Sequence, residues 1–478
     1  WFLTRNLNFT RDYLADAQQV SSDDIRRVAA EYLTRDNLTI TSLNPHDSLG
    51  ARAKTEAAVR AGEIQKLELA NGLRLLVRED ARLPLVSISA VFRGGLLAET
   101  PETNGITALM AKTLLKGTTT RTAEQIADEI EAVGGHISSD SGNNSFSVAL
   151  EVTQPDFRGA GELLADVLLN ATMPEKAVAR EKEVQLAAIK DEEEHLTAVA
   201  RNILRKALFR DHPYALRGKG SAEAVAKLTQ KDLLRFRDRY VVARNCVISV
   251  FGNVKAAEVK QLFEQTLATM KPGELALTNA KPSEAVAKTS EVESLRDKAQ
   301  GVLMVGYRGA DLFSKDRAAL ELIDEASSDL GSRFFIRIRE QMGLAYYVGT
   351  SQLQGLVPGM FAFYLGTDPQ KLEPVKKELL DEIAKLASDG LTSEELQRAK
   401  KKIIGQQQIA NQSNDSLGYA AALDELYGLG FDHYKKLEAE VEAVTVEEVK
   451  RVARKYFLEQ PCVIATVRPS GKATSKEE

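Results

Sequence analysis

The chain has 478 residues, 44% of them apolar and 27% charged, with 63 Lys and Arg against 68 Asp and Glu for a formal net charge of −5. That composition is expected of a soluble globular protein with more than one compact domain, and the interspersed signs exclude the concentrated basic face of a nucleic-acid binder. No apolar run approaches the roughly 20 residues needed to cross a bilayer.

The chain opens Trp1-Phe2-Leu3, with neither a Met nor a signal-peptide pattern, so the expectation is a fragment of a longer protein. A soluble periplasmic or cytoplasmic setting in a bacterium fits the composition equally well. The first clear pattern is a capped helix: Ser21 precedes it with Asp24 three residues on, its apolar face runs through Ile25, Val28 and Tyr32, and residues 38–41 form a strand. Residues 1–50 are therefore expected to be the C-terminal fragment of a preceding unit, and residues 51–62 a linker. Leu67, Leu69, Leu73 and Leu75 alternate around Asn71-Gly72, which predicts a hairpin with a type I′ turn. A strand over 85–92 ends at Gly94-Gly95, a helix covers 105–115, and Thr122 with Gln125 caps a helix stopping at Gly134-Gly135. Residues 136–141 and 145–152 read as a hairpin, and long helical patterns fill 156–170 and 175–208.

Thr229 with Asp232 opens a second capped helix, through Tyr240, into a strand over 245–251. Pro272, Gly273 and Pro282 mark a second linker over 271–291. The order then recurs: a strand over 300–307, helices over 315–329 and 333–340, and strands over 346–352 and 360–366. A helix capped by Thr445 and Glu448 leads through Tyr456 into a strand over 462–467, and residues 471–478 are a polar tail.

The capped helix and its strand thus occur three times. Tyr240 follows Tyr32 by 208 residues (240 − 32), and Tyr456 follows Tyr240 by 216 (456 − 240), so the structural unit is about 210 residues long. The expected fold class is α+β: two homologous units, residues 63–270 and 292–470, each an antiparallel-rich sheet with helices packed on one face, preceded by the fragment of another such unit. The strands over 85–92 and 346–352 are candidate edges for pairing with an extended peptide.

Cys246 and Cys462 each sit in an apolar strand-like run and read as buried structural thiols. No two of the five histidines lie within a helical turn of each other. Glu192-Glu193-Glu194-His195 reads as a solvated helix face, and Asp211-His212-Pro213 as a turn. The segment Gly105 to Thr118 has the frame of an inverted zinc-binding helix, G-x-x-H-x-x-E-H-x-x-x-K-G-T, without its metal-handling groups. Ala108 and Lys112 stand i, i+4 where two imidazoles would converge, and Ala111 stands where the water-activating carboxylate would be.

With this helix, Asp211-His212-Pro213-Tyr214, the Tyr240…Asn245…Gly252 ending and the run Arg339-Glu340-Gln341-Met342-Gly343-Leu344-Ala345-Tyr346, the chain resembles the pitrilysin/insulysin/mitochondrial processing peptidase family of zinc endopeptidases over nearly its whole length. The resemblance implies two homologous halves that close like a clamshell around a peptide chamber, with zinc usually in one half. It puts the third metal ligand at Ala188, seven residues after Glu181, so Ala108, Ala111, Lys112 and Ala188 all depart from the pattern, and residues 63–270 are expected to be an inactive peptidase-like domain. The expectation is the zinc-free C-terminal half of a metalloendopeptidase: no metal or other cofactor in this chain, no activity alone, and zinc in a catalytic half, upstream or in a homologous subunit. Its partners are then that half and a peptide substrate. Arg339 and Tyr346 are expected to project into the chamber and donate hydrogen bonds to the substrate carbonyl and its developing oxyanion. The alternative is a non-catalytic scaffold or regulatory subunit of the same family.

Overall fold

A computed structural model describes Tyr13, residues 19–34, Leu38 and residues 61–470. It divides into two compact bodies, Trp1–Ala58 and Val59–Glu478. In the first, α1 (Ser22–Tyr32) starts at Ser21, whose side chain and that of Asp24 form the expected capping box. Ile25 and Val28 of α1 are exposed. Residues 39–41 of the expected strand and 51–60 of the expected linker lie outside the described residues.

In the second body the chain runs through β1 (Gln65–Glu68), β2 (Arg74–Glu79), β3 (Leu85–Arg93), α2 (Ile106–Leu114), α3 (Ala123–Glu131), β4 (His136–Ser141), β5 (Ser145–Thr153), α4 (Phe157–Asn170), α5 (Glu175–Glu192), α6 (Leu196–Phe209), α7 (Ala222–Lys227), α8 (Gln230–Tyr240), β6 (Cys246–Gly252) and α9 (Ala256–Thr266). It continues with β7 (Ser290–Arg296), β8 (Gly301–Arg308), α10 (Arg317–Ser328), β9 (Tyr347–Leu353), β10 (Met360–Thr367), α11 (Leu372–Asp389), α12 (Ser393–Ala410), α13 (Asn414–Tyr427), α14 (Leu437–Ala443), α15 (Val446–Phe457) and β11 (Val463–Pro469). The strand order is β1-β2-β6-β3-β5-β4 in the first sheet and β7-β11-β8-β10-β9 in the second. Five strands correspond one to one, with β2/β6 and β7/β11 the parallel pairs. The repeat read from the capped helices is therefore a repeat of sheet topology. The helices α8 and α15 bury Leu233 with Phe236 and Val449 with Val452, the counterparts of the exposed Ile25 and Val28.

Each unit packs its own helices on one face of its sheet. The inner strands are nonetheless buried on both faces, because each unit lends one helix to the other. Helix α13 lies across the first sheet, closing Leu76, Val91, Val247 and Phe251 under Leu417, Ala421 and Leu426. Helix α6 does the same for the second sheet, covering Val302, Met304 and Ala362 with Val199, Leu204 and Leu208. Gly306 lets α6 approach closely: a Cβ there would lie 2.7 Å from Leu204.

Three sequence expectations change. The helical pattern over 175–208 is two helices, α5 and α6, broken at residues 193–195, where Glu193 pairs with Arg217 and, at 2.7 Å, with Arg296 of β7. The β1–β2 turn is not type I′, which needs positive φ at both central residues; only Gly72 has it (φ +86°). Asn71 is held by Leu267 and Met270, whose carbonyls accept from its Nδ2 at 2.9 and 3.3 Å. Finally, β3 is no edge, being hydrogen-bonded to β5 and β6, whereas β9 and β4 are edges.

Candidate functional site

Helix α2 begins at Gly105, whose φ of +102° lies in the left-handed region and favours glycine. Its N-terminal amides are capped by a side chain that the sequence did not single out. The buried carboxylate of Glu99 accepts from the amides of Gly105 (2.7 Å) and Thr107 (3.0 Å) and from Asn104 Nδ2 (2.9 Å). Burial raises its pKa, against the pull of these hydrogen bonds. An acid just before an unusually apolar helix was the available signal.

Held this way, α2 presents Ala108, Ala111 and Lys112 to a cavity of about 530 Å³, which α5 walls with Glu181, Val184, Gln185 and Ala188. The four positions that the sequence flagged as a degenerate metal site therefore meet in one place, although they lie up to 80 residues apart (188 − 108). The β4–β5 turn, from Asp140 to Asn143, and Lys219 complete the wall.

The chemistry of the donor set is poor for a metal. Alanine offers no lone pair, and the Lys112 ammonium donates to the Ser139 carbonyl oxygen at 2.9 Å, with Asp140 at 3.9 Å. The remaining carboxylate, Glu181, is paired with Lys116 Nζ at 3.0 Å. Among the described residues no three His, Cys, Asp or Glu side chains come together in a way that could hold an ion. The residues present do not fit zinc.

Arg339 and Tyr346 do not line this cavity. Arg339 lies in a π-helical segment, Phe335–Gln341, with its guanidinium carbon 4.8 Å from the Phe335 ring centre and its nearest carboxylate, Glu340, at 4.0 Å. Gly343, at φ +60°, turns the chain, and the Tyr346 amide donates to Gly366 at 2.8 Å just before β9 starts. The Tyr346 side chain is 51% exposed. Both groups face solvent on the second unit.

The other residues weighed in the sequence have structural partners. Glu193 and Glu194 pair with Arg296 and Lys298, and His195 lies 3.4 Å from Asp191. His212 Nδ1 accepts from the Tyr214 amide at 3.1 Å. Tyr214 is buried, and its hydroxyl donates to Asn144 Oδ1. Cys246 and Cys462 are buried free thiols whose pKa values burial raises.

Residues 74–218 match the family described as Insulinase (Peptidase family M16), and residues 227–403 match the Peptidase M16 inactive domain. An uncharacterized zinc protease of Rickettsia felis is 29% identical over 364 residues, covering 74% of this chain and 87% of its own length. One from Bacillus subtilis is 26% identical over 413 residues, covering 86% of this chain and 100% of its own length. The crystal structure of a peptidase M16 inactive domain from Pseudomonas fluorescens has the same fold, with a TM-score of 0.80 at 24% identity over 85% of this chain and 98% of that one.

Proposed function

Because this chain belongs to the insulinase (M16) family of peptidases, we propose that it is the metal-free half of a zinc-dependent metalloendopeptidase, completed by a zinc-binding half that is fused upstream or supplied by a homologous subunit. The observation that carries this reading is the convergence of Ala108, Ala111, Lys112 and Ala188 on one cavity. On this reading the framework of a metal site is kept while the three ligand positions and the base position carry alanine or lysine. Helix α1 supports the fused arrangement, since it repeats the ending of each unit with Ile25 and Val28 uncovered.

In this half the work is to wall the chamber and grip the peptide. The edge strands β4 and β9 each have a strand neighbour on one side only, and the other side can add an extended substrate strand. Arg339 and Tyr346, exposed and lying either side of the Gly343 turn, are the proposed donors to the substrate carbonyl and to the oxyanion that forms from it. Such donors act once closure excludes water around them. The chain alone should hydrolyse no peptide and carry no stoichiometric zinc, and adding the zinc-binding half should produce peptide cleavage. One zinc per chain, or hydrolysis by this chain alone, would refute the assignment.

A further inference from the structure

The cavity at the degenerate metal site has an apolar floor and no charge left to answer. Ala108 and Ala111 of α2 line it together with Val184 and Ala188 of α5, and Val184 is 56% exposed, a branched apolar side chain left in solvent. The charged groups of the lining already have partners. Lys112 lies on the Ser139 carbonyl and near Asp140, Glu181 lies on Lys116, and the Lys219 ammonium donates to the Ala188 carbonyl at 3.4 Å. Gln185 braces the walls: its Nε2 donates to the carbonyls of Gly105 at 3.1 Å and Lys219 at 2.7 Å, pinning α5 to the start of α2 and to the loop at Lys219.

Another part of the lining is the end of β4, Asp140 and Ser141, a strand with no neighbour on its outer side. The Gly142 amide donates to the Ser145 carbonyl at 2.8 Å, which makes these two a hydrogen-bonded pair. Alternation from that pair along the β4–β5 register turns the main-chain groups of Ser139 and Ser141 away from β5, toward the free edge. The ammonium of Lys112, itself part of the lining, therefore reaches an outward carbonyl, and the cavity lies within one side chain of the edge. Ile137 packs in the core that α2 covers, and Ser139 and Ser141 share its face of the sheet. In a strand added beside β4, the side chains of the same row point to that face too.

We propose that this cavity is a side-chain pocket, taking one large neutral apolar residue, aromatic or leucine-like, of an extended peptide that adds to the free edge of β4. The proposal rests on the reading of this chain as the peptide-gripping half, and names the residue class that is gripped. At about 530 Å³ the cavity falls among small-ligand sites of roughly 300–1,000 Å³. Alanine at 108, 111 and 188 gives it a floor that an apolar side chain can bury against and a cation cannot use. Main-chain hydrogen bonds to β4 hold the peptide whatever its sequence, and the pocket supplies the preference. The Ser139 carbonyl has a second lone pair for the incoming amide, so Lys112 can stay where it is.

Fluorescein-labelled peptides that are alike except for Phe, Ala or Glu at the central position are titrated with the full chain and read by anisotropy. The Phe peptide should bind saturably and roughly 10- to 100-fold more tightly than the Ala peptide, the yield of burying one large side chain, and the Glu peptide no more tightly than the Ala peptide. Val184→Asp should bring the Phe peptide down to the level of the Ala peptide, and Val184→Leu should keep the preference. Because Val184 is exposed, neither change should move the thermal midpoint by more than about 1 °C. No binding of the Phe peptide, equal affinities for Phe and Ala, a Glu peptide as tight as the Phe peptide, or a preference that survives Val184→Asp would each overturn the proposal. A chain that sediments as a dimer and separates on Val184→Asp would give the cavity to a second copy and overturn it as well. None of these outcomes touches the zinc-free assignment, which falls on zinc content or on hydrolysis by this chain alone.

Discussion

The Lys112 ammonium donates to the main-chain carbonyl of Ser139 at 2.9 Å, tying α2 to the edge strand β4 at the point where the resemblance expects a metal ligand. Lysine here stabilises the helix–strand contact that an imidazole and an ion would otherwise organise. If the framework is intact, restoring donors should restore the site. Ala108→His, Lys112→His and Ala188→Glu together should take up one zinc per chain by elemental analysis, and any two of them should bind roughly 100-fold more weakly. With Ala111 left in place the loaded variant should still hydrolyse nothing. A folded triple variant that takes up no zinc would show that the three positions do not meet closely enough for tetrahedral coordination.

Arg339 and Tyr346 are exposed, so replacing them should leave the fold alone. In the assembled enzyme, Arg339→Ala or Tyr346→Phe should lower kcat by roughly 10- to 1000-fold, the scale of losing one oxyanion donor. Thermal midpoints within about 1 °C of the unaltered protein would separate this from destabilisation. Unchanged peptide turnover in both variants would remove the pair from the mechanism.

The repeat was legible because capping boxes are local: Ser21/Asp24 and Thr229/Asp232 each close on themselves within four residues. That Ala108 and Lys112 share a face was legible for a related reason, since i, i+4 spacing places them together on a helix whatever the tertiary structure. The exchange of α6 and α13 was not. Nothing between Glu193 and His195 breaks a helix by composition; the break accompanies the packing of α6 on the second sheet, where Leu204 lies over Gly306 a hundred residues later. The cap from Glu99 likewise depends on what surrounds it in space.

Arg93, the last residue of β3, ties α13 to the first unit. Its guanidinium donates to the carbonyls of Leu426 and Tyr427 at 3.0 Å each, closing the C-terminal end of α13, and to Ala276 at 3.4 Å. Burial lowers its pKa, yet no carboxylate acts on it, so helix carbonyls are its counter-charge. Arg93→Ala leaves buried acceptors unmet and should cost about 2–4 kcal/mol in urea unfolding. Arg93→Lys, which can reach fewer of them, should fall between. A loss below 0.5 kcal/mol, the scatter of ordinary surface substitutions, would mean that α13 is held by its apolar face alone.

His433 should make the second unit sensitive to pH. Its Nδ1 lies 3.2 Å from Asp424 of α13, and its Nε2 lies 2.8 Å from Arg317 of α10 and 3.6 Å from Glu440 of α14. The hydrogen bond to Asp424 raises its pKa most, with burial and Arg317 opposing. Arg317 can donate to Nε2 only while the imidazole is neutral; two carboxylates against one guanidinium leave the net direction upward. A raised folded-state pKa means that the folded protein favours the imidazolium. The stabilisation is then complete below the ordinary value of 6.5 and is lost as pH rises through the raised one. His433→Gln should therefore lose most stability near about pH 6, and the gap should narrow by about pH 9. Asp424→Asn, which removes the first cause, should flatten the same part of the curve. A gap that stays constant across that range would place the proton uptake on another group.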